Sequence, residues 1–149
     1  ATFAAISLVR MAGSSTAPSL LVGANITVTA LSSYGGEVEN YGTLTAADVT
    51  EQAILDNHNA AATVSVSARA TVRWNSAAGI GTKLNVYNGG VIDFSGDPAG
   101  KTIAAADLYQ GGSILDPQGV IAWSSGVALI GCKLSEVTLD LGRGQTITV

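Results

Sequence analysis

A repeated Tyr-x-Gly-Gly segment constrains this chain more than any other feature. Residues 84–96 read Leu-Asn-Val-Tyr-Asn-Gly-Gly-Val-Ile-Asp-Phe-Ser-Gly, and residues 106–119 read Ala-Asp-Leu-Tyr-Gln-Gly-Gly-Ser-Ile-Leu-Asp-Pro-Gln-Gly. Tyr87 aligns with Tyr109, Gly89-Gly90 with Gly111-Gly112 and Ile92 with Ile114, at an offset of 22 residues. A fainter third copy starts at Tyr34-Gly35-Gly36, and Val72-Arg73-Trp74-Asn75-Ser76 is echoed by Ile121-Ala122-Trp123-Ser124-Ser125. A unit of this length holds two short strands and two turns. It cannot bury its apolar face alone but can do so when stacked on its neighbours. Stacked strands lie about 4.8 Å apart, and each buried backbone N–H and C=O then finds a partner in the next coil. Alternate residues point inward, and Val86, Val91, Leu108 and Ile114 are expected to form apolar ladders. Glycine pairs suit the corners, and Asp97-Pro98 and Asp116-Pro117 supply further turn signals. The expected fold is all-β: a short parallel β-helix of three or four coils, beginning near residue 70. The alternative is an antiparallel β-sandwich, which also uses short, evenly spaced strands.

The segments upstream are less regular. Residues 1–24 hold two apolar runs, Ala1–Met11 and Ser19–Val22, broken by Gly13-Ser14-Ser15-Thr16-Ala17-Pro18. They read as an extended arm docking on a neighbouring chain, or equally as an edge strand of the chain's own domain, with a β-rich domain over 25–149. Arg10 interrupts the apolar run and no basic stretch precedes it, a poor fit to a signal peptide. Asn25-Ile26-Thr27-Val28-Thr29 reads as strand and Ser32–Gly36 as turn. Residues 46–60 are the one plausible helix, with Thr45 as cap and Asn57-His58-Asn59 as its end; the same stretch also fits strand and turn. Thr63–Trp74 alternates as a long half-buried strand with room for a bend in its middle. Val137–Leu141 and Gln145–Val149 would be the last strands, joined by Gly142-Arg143-Gly144.

Composition narrows the function. Charged residues are 12% of the chain against about 25% in an average globular domain, so part of the surface is expected to be covered by other chains. The net charge of −4 arises in the first sixty residues, where Arg10 stands against Glu37, Glu39, Asp48, Glu51 and Asp56. With no basic stripe, nucleic acid is not an expected partner. No membrane span is evident. The sole cysteine, Cys132, has no internal disulfide partner; it fits a small core hydrophobe and a reducing compartment of assembly.

Catalytic chemistry is hard to assemble. A metal site or a Ser-His-Asp triad would have to be built on the only histidine, His58, and no cysteine or second histidine stands at ligand spacing. Asp93, Asp97, Asp107, Asp116 and Asp140 could in principle place paired acids on one face, as glycosidic cleavage requires. Asp97 and Asp116 precede prolines and read as turn residues instead. Gly79-Ile80-Gly81-Thr82-Lys83 lacks the residue order of a phosphate loop and reads as a corner. Asn25-Ile26-Thr27 matches a glycosylation acceptor by chance. Trp74, Trp123, Tyr34, Tyr87 and Tyr109 could form a sugar-binding platform or pack at sheet edges. The chain is therefore expected not to be an enzyme, with no catalytic, cofactor or metal residues.

The runs Thr71–Ser76, Leu84–Gly90 and Asp107–Gly112 resemble short β-helical proteins of tailed bacteriophages, of the capsid decoration (cement) or spike type. The likeness covers residues 70–125; the N-terminal third resembles nothing comparable. It implies a structural virion protein, assembled in the host cytoplasm, that sits on the capsid as a homotrimer and contacts the major capsid protein through arm and trimer surfaces. It implies no catalytic residues. The alternative function is a carbohydrate-binding spike or adhesin domain.

Overall fold

The computed structural model describes residues 1–142. Its strands succeed one another in rungs. β1 (Thr2–Val9) and β2 (Ser19–Val22) form the first, β3 (Thr27–Tyr34) and β4 (Glu37–Asn40) the second. β5 (Thr43–Thr50) with β6 (Ile54–Asn57), β7 (Ala61–Val66) with β8 (Thr71–Trp74), and β9 (Ile80–Val86) with β10 (Val91–Asp93) follow. The sixth rung splits into β11 (Lys101–Ile103), β12 (Ala106–Tyr109) and β13 (Ser113–Leu115); the seventh into β14 (Ile121–Trp123), β15 (Val127–Ile130) and β16 (Thr138–Asp140). All strand pairs are parallel. Two sheets result. We call the sheet through β1-β3-β5-β7-β9-β11-β14, with β12 and β15, sheet A, and β2-β4-β6-β8-β10-β13-β16 sheet B. The chain is a parallel β-solenoid of about 6 turns, as the repeat predicts, and the antiparallel sandwich is excluded. Seven rungs at about 4.8 Å give a core roughly 29 Å long.

The coils begin at the first strand rather than near residue 70. Residues expected as a docking arm pair with their own chain: Thr2–Val9 lies in register on Thr27–Tyr34, and Ser19–Val22 on Glu37–Asn40. The backbone reason is direct: β3 and β4 each offer a free edge, and the apolar runs at 2–9 and 19–22 match their inward positions. The expected helix over 46–60 is also absent. Leu44, Ala47, Val49, Ala53 and Leu55 point inward while Asp48 points out, so this segment is strand, corner and strand. Stacking between two neighbouring rungs overrides its helix propensity. The predicted strand over 63–74 is bent in its middle by a corner at Ser67–Ala70. The expected strand over 145–149 and most of the preceding turn lie outside the described residues.

Aliphatic ladders fill the interior. In sheet B, Leu20, Val38, Leu55, Val72, Ile92, Ile114 and Leu139 stand directly above one another. In sheet A, Ile6, Leu31, Ala47, Val64, Leu84, Ala106 and Val127 do the same. Each fully buried Leu, Ile or Val contributes about 1.5–3 kcal/mol, so ladders supply most of a core in which Trp74 and Phe94 are the buried aromatic rings. Val86, Leu108 and Ile114 face the core as expected, but Val91 is on the outer face and Ile92 takes the inward place.

Sheet A is bent. Its strict alternation breaks once per rung, where two consecutive residues face outward, Thr29-Ala30, Thr45-Ala46 and Ala62-Thr63, or three, Gly81-Thr82-Lys83, where the register on β7 shifts by one. The bend gives the coil a third side, and in the last two rungs it interrupts the strand altogether. Among the described residues no helix is long and apolar enough to cross a membrane.

Candidate functional site

Two columns of corners and two outer faces are the places where side chains leave the ladders. The first corner column follows sheet A. Val9, Tyr34, Thr50, Tyr87, Tyr109 and Ile130 share one outward position, with Ser67 between Thr50 and Tyr87. After them the chain turns within four residues, closed by N–H donors of Ala53, Ala70, Gly90 and Gly112 to the carbonyls of Thr50, Ser67, Tyr87 and Tyr109. The two Tyr-x-Gly-Gly copies therefore occupy equivalent corners, Gly89 and Gly111 having φ of 75° and 76°, while Gly35 (φ 77°) opens a shorter corner directly after Tyr34. Gly90 serves a different need: a Cβ there would collide with the Val66 carbonyl one rung away. In the third and fourth rungs the corner carries no glycine. Glu51 and Gln52 (φ 55° and 65°) and Ala68 and Arg69 (φ 50° and 64°) adopt the left-handed region with side chains attached.

Tyr87 and Tyr109 stack with centroids 4.5 Å apart and planes inclined by 26°. Burial, then the neighbouring Tyr109, raises the Tyr87 phenol above its ordinary value. Because the rings stack on each other, the pair turns edges and hydroxyls outward rather than a continuous flat face. Trp74 is fully buried against Phe94, with centroids 6.1 Å apart, and Trp123 stands over Ile103 on the inward side of sheet A. The five expected aromatic residues thus do not form one platform. The echo between residues 72–76 and 121–125 is not structural, since β8 belongs to sheet B and β14 to sheet A.

The second corner column follows sheet B and is filled from within. Asn40 lies over Asn57, which lies over Trp74. The Asn40 amide donates to Asn57 Oδ1 at 2.7 Å and to the Gly42 carbonyl at 3.0 Å, and the Asn57 amide donates to the Asn59 carbonyl. The Trp74 indole donates to the Ala78 carbonyl at 2.7 Å. Asp116, buried, accepts from the backbone N–H of Val120 and Ile121, both at 3.0 Å.

The other acids are scattered. Asp93 and Asp140 share an outer column of sheet B with Leu115 between them. Asp97 accepts the Ala99 N–H, and Asp107 pairs with Lys83 at 2.7 Å. Gly79 ends the corner after β8, packed on the Thr102 backbone, while Ile80-Gly81-Thr82-Lys83 form the start of β9 rather than a corner. His58 stacks flat on Tyr41, centroids 4.4 Å apart, with Nε2 3.7 Å from Glu39 Oε1. Tyr41 donates to the same Glu39 oxygen at 2.6 Å, and that hydrogen bond raises its phenol above the ordinary value. Among the described residues no group of His, Cys, Asp and Glu is arranged to hold a metal ion. Cys132 is half-buried, its thiol 3.5 Å from the Leu108 carbonyl.

Three concavities remain. One of about 610 Å³ follows the bend of sheet A and is lined without a single charge, by residues such as Thr45, Ala62, Gly81, Thr102 and Ala104. A second, of about 300 Å³, lies on the outer face of sheet B among Glu37, Glu39, Asp56 and Arg73. The third, of about 490 Å³, sits at the first corner column beside Arg10, Tyr34, Glu51 and Gln52. The sequence alone does not group them, because Arg10, Tyr34 and the pair Glu51-Gln52 stand 17 to 42 residues apart and only the coil register joins them. Compared with known proteins, the chain matches no family model, no curated protein and no solved structure.

Proposed function

We propose that the chain is a non-catalytic structural protein of a virion, a decoration or cement component that acts as a homotrimer on a phage capsid. One observation carries the reading: of the nine exposed large apolar side chains among the described residues, Phe3, Val9, Met11 and Leu21 belong to the first rung and its loop. Phe3, Ile6, Leu8 and Leu20 continue the inner ladders with no rung beneath them in these residues. A terminal coil needs its apolar end covered, and here a partner surface would cover it. The uncharged concavity along the bend of sheet A offers a flank for side-by-side packing of protomers. The contact once assigned to an arm is thereby transferred to a folded first rung. Modest contacts of this kind add up when repeated over a lattice.

Native mass spectrometry at micromolar concentration tests the assembly, with a trimer expected. Co-sedimentation with undecorated phage heads tests attachment, and the pair Met11→Asp and Leu21→Asp should abolish it while leaving the trimer intact. A monomer, or a doubly substituted protein that still decorates heads, overturns the reading.

A further inference from the structure

We infer that the concavity at the first corner column is a binding site for a neutral saccharide. Its volume of about 490 Å³ is within the range of small-molecule pockets. Its lining brings together one guanidinium, Arg10, one carboxylate, Glu51, one carboxamide, Gln52, and one aromatic ring, Tyr34. None of the ion pairs among the described residues involves Arg10 or Glu51. Arg10 is nonetheless held in place: its Nε and Nη2 donate to the Ser14 carbonyl at 3.1 and 2.8 Å, two of its five N–H donors.

The backbone adds an independent observation. Corners of this column use glycine at Gly35, Gly89 and Gly111, but of the two corners that line the concavity one carries Gly35 and the other carries Glu51 and Gln52 at φ 55° and 65°. Left-handed backbone costs a residue with a Cβ about 1–2 kcal/mol. Gln52 keeps a polar side chain at the position that Gly89 and Gly111 fill in later corners, and Glu51 is left-handed where its counterparts Asn88 and Gln110 are not; strain of this sort is retained where the side chain has a task. The next corner, Ala68–Arg69, repeats the backbone, and its Ala68 carbonyl accepts the Gln52 N–H at 3.0 Å, which fixes the floor.

The chemistry selects the ligand class. An anion would meet Glu51, a cation would meet Arg10, and a purely apolar ligand would leave three polar groups desolvated without partners. Hydroxyl groups both donate and accept, so a neutral sugar can satisfy carboxylate, guanidinium and amide together, while its C–H face rests on the Tyr34 ring.

Amide chemical-shift mapping with maltose, cellobiose, lactose and chitobiose tests the site. At least one should shift the signals of Arg10, Tyr34 and Gln52 with millimolar affinity. Tyr34→Ala and Gln52→Gly should each weaken that sugar at least tenfold. Gln52→Gly also relieves backbone strain, so its loss of binding must come with an unchanged or raised unfolding midpoint. No shift with any of the four sugars overturns the inference. So does binding that survives both substitutions, or a preference for glucuronate over every neutral sugar. The site does not rest on the virion reading: a monomer that binds sugar removes that reading alone, and a trimer that binds none removes this one alone.

Discussion

The corner after sheet A is shaped by its backbone, and the corner after sheet B by what its side chains reach. From the second rung to the sixth, the first kind spans two to four residues; the second kind spans two to seven. At the first, hydrogen bonds between residues i and i+3 and left-handed φ do the turning, so length can hardly change. At the second, Asn40, Asn57, Trp74 and Asp116 reach inward and satisfy carbonyls and N–H groups of whatever loop lies over them. A side chain can adapt to different loop lengths, and a tight turn cannot. Insertions over these rungs therefore collect on the sheet B side, and the step between successive ladder residues grows from Leu55 to Val72 (17), to Ile92 (20) and to Ile114 (22).

If the second column is held by buried side chains, truncating them should cost most. Trp74→Ala removes a fully buried ring and its bond to Ala78, and should lower stability by about 3–5 kcal/mol in urea unfolding. A loss under about 1 kcal/mol would mean the loop holds its shape unaided, and the contrast would fail. Asn57→Ala should cost less, about 1–3 kcal/mol, by leaving the Asn40 amide and the Asn59 carbonyl without their partner. Because Asn40 and Asn57 bond each other, the double variant with Asn40→Ala should cost less than the sum of the two. Strict additivity would show that the two side chains act separately.

This contrast explains how much of the fold can be read from the sequence. The repeat at Tyr87 and Tyr109 is visible because both copies keep a glycine pair at the same corner. The third and fourth rungs turn at the same place, but through two consecutive left-handed residues, Glu51-Gln52 and Ala68-Arg69, with no glycine, so the motif vanishes while the corner stays. The segment 46–55 then looks helical, since Ala, Glu and Gln favour helices where no neighbouring strand is known. The first rung is hidden for a different reason: its loop of nine residues between β1 and β2 breaks the spacing. The inward asparagines carry no periodic signal at all, because Asn at a strand end reads as a turn residue. Of the candidate site, Tyr34 was legible as an aromatic, whereas its neighbours Arg10, Glu51 and Gln52 meet it only through parallel register.

The backbone-shaped corner should respond in the opposite direction. Arg69→Gly keeps the turn and removes a Cβ from left-handed backbone. Relief of strain exceeds the added freedom of the unfolded chain, so stability should rise by up to about 1 kcal/mol. A loss would mean that the Arg69 side chain, not the turn, holds this corner. Ser33→Ala offers a companion gain nearby. Ser33 Oγ is buried in the inner ladder between Leu8 and Val49 with no hydrogen-bond partner, and removing it should stabilise by about 1 kcal/mol.

The smallest effect concerns pH and the longest loop of the side-chain-shaped column. Lys101 is buried, its Nζ donating to the Asp97 carbonyl at 2.8 Å across the loop before β11. Burial lowers its pKa below the ordinary 10.5, partly offset by the charges of Asp97 and Asp116. The folded chain therefore gives up this proton at lower pH than the unfolded chain does. Between the two pKa values the unfolded state holds more protons, so stability rises with pH through that window and levels off above the unfolded value. Below the folded value the desolvation penalty is present in full. Lys101→Met keeps the length of the side chain and removes the charge, and should erase this alkaline gain. Unfolding midpoints measured between pH 8 and 11 for the two proteins decide it. Parallel profiles would mean that Lys101 is hydrated, and that its loop is held by the Asp97 backbone rather than by a buried amine.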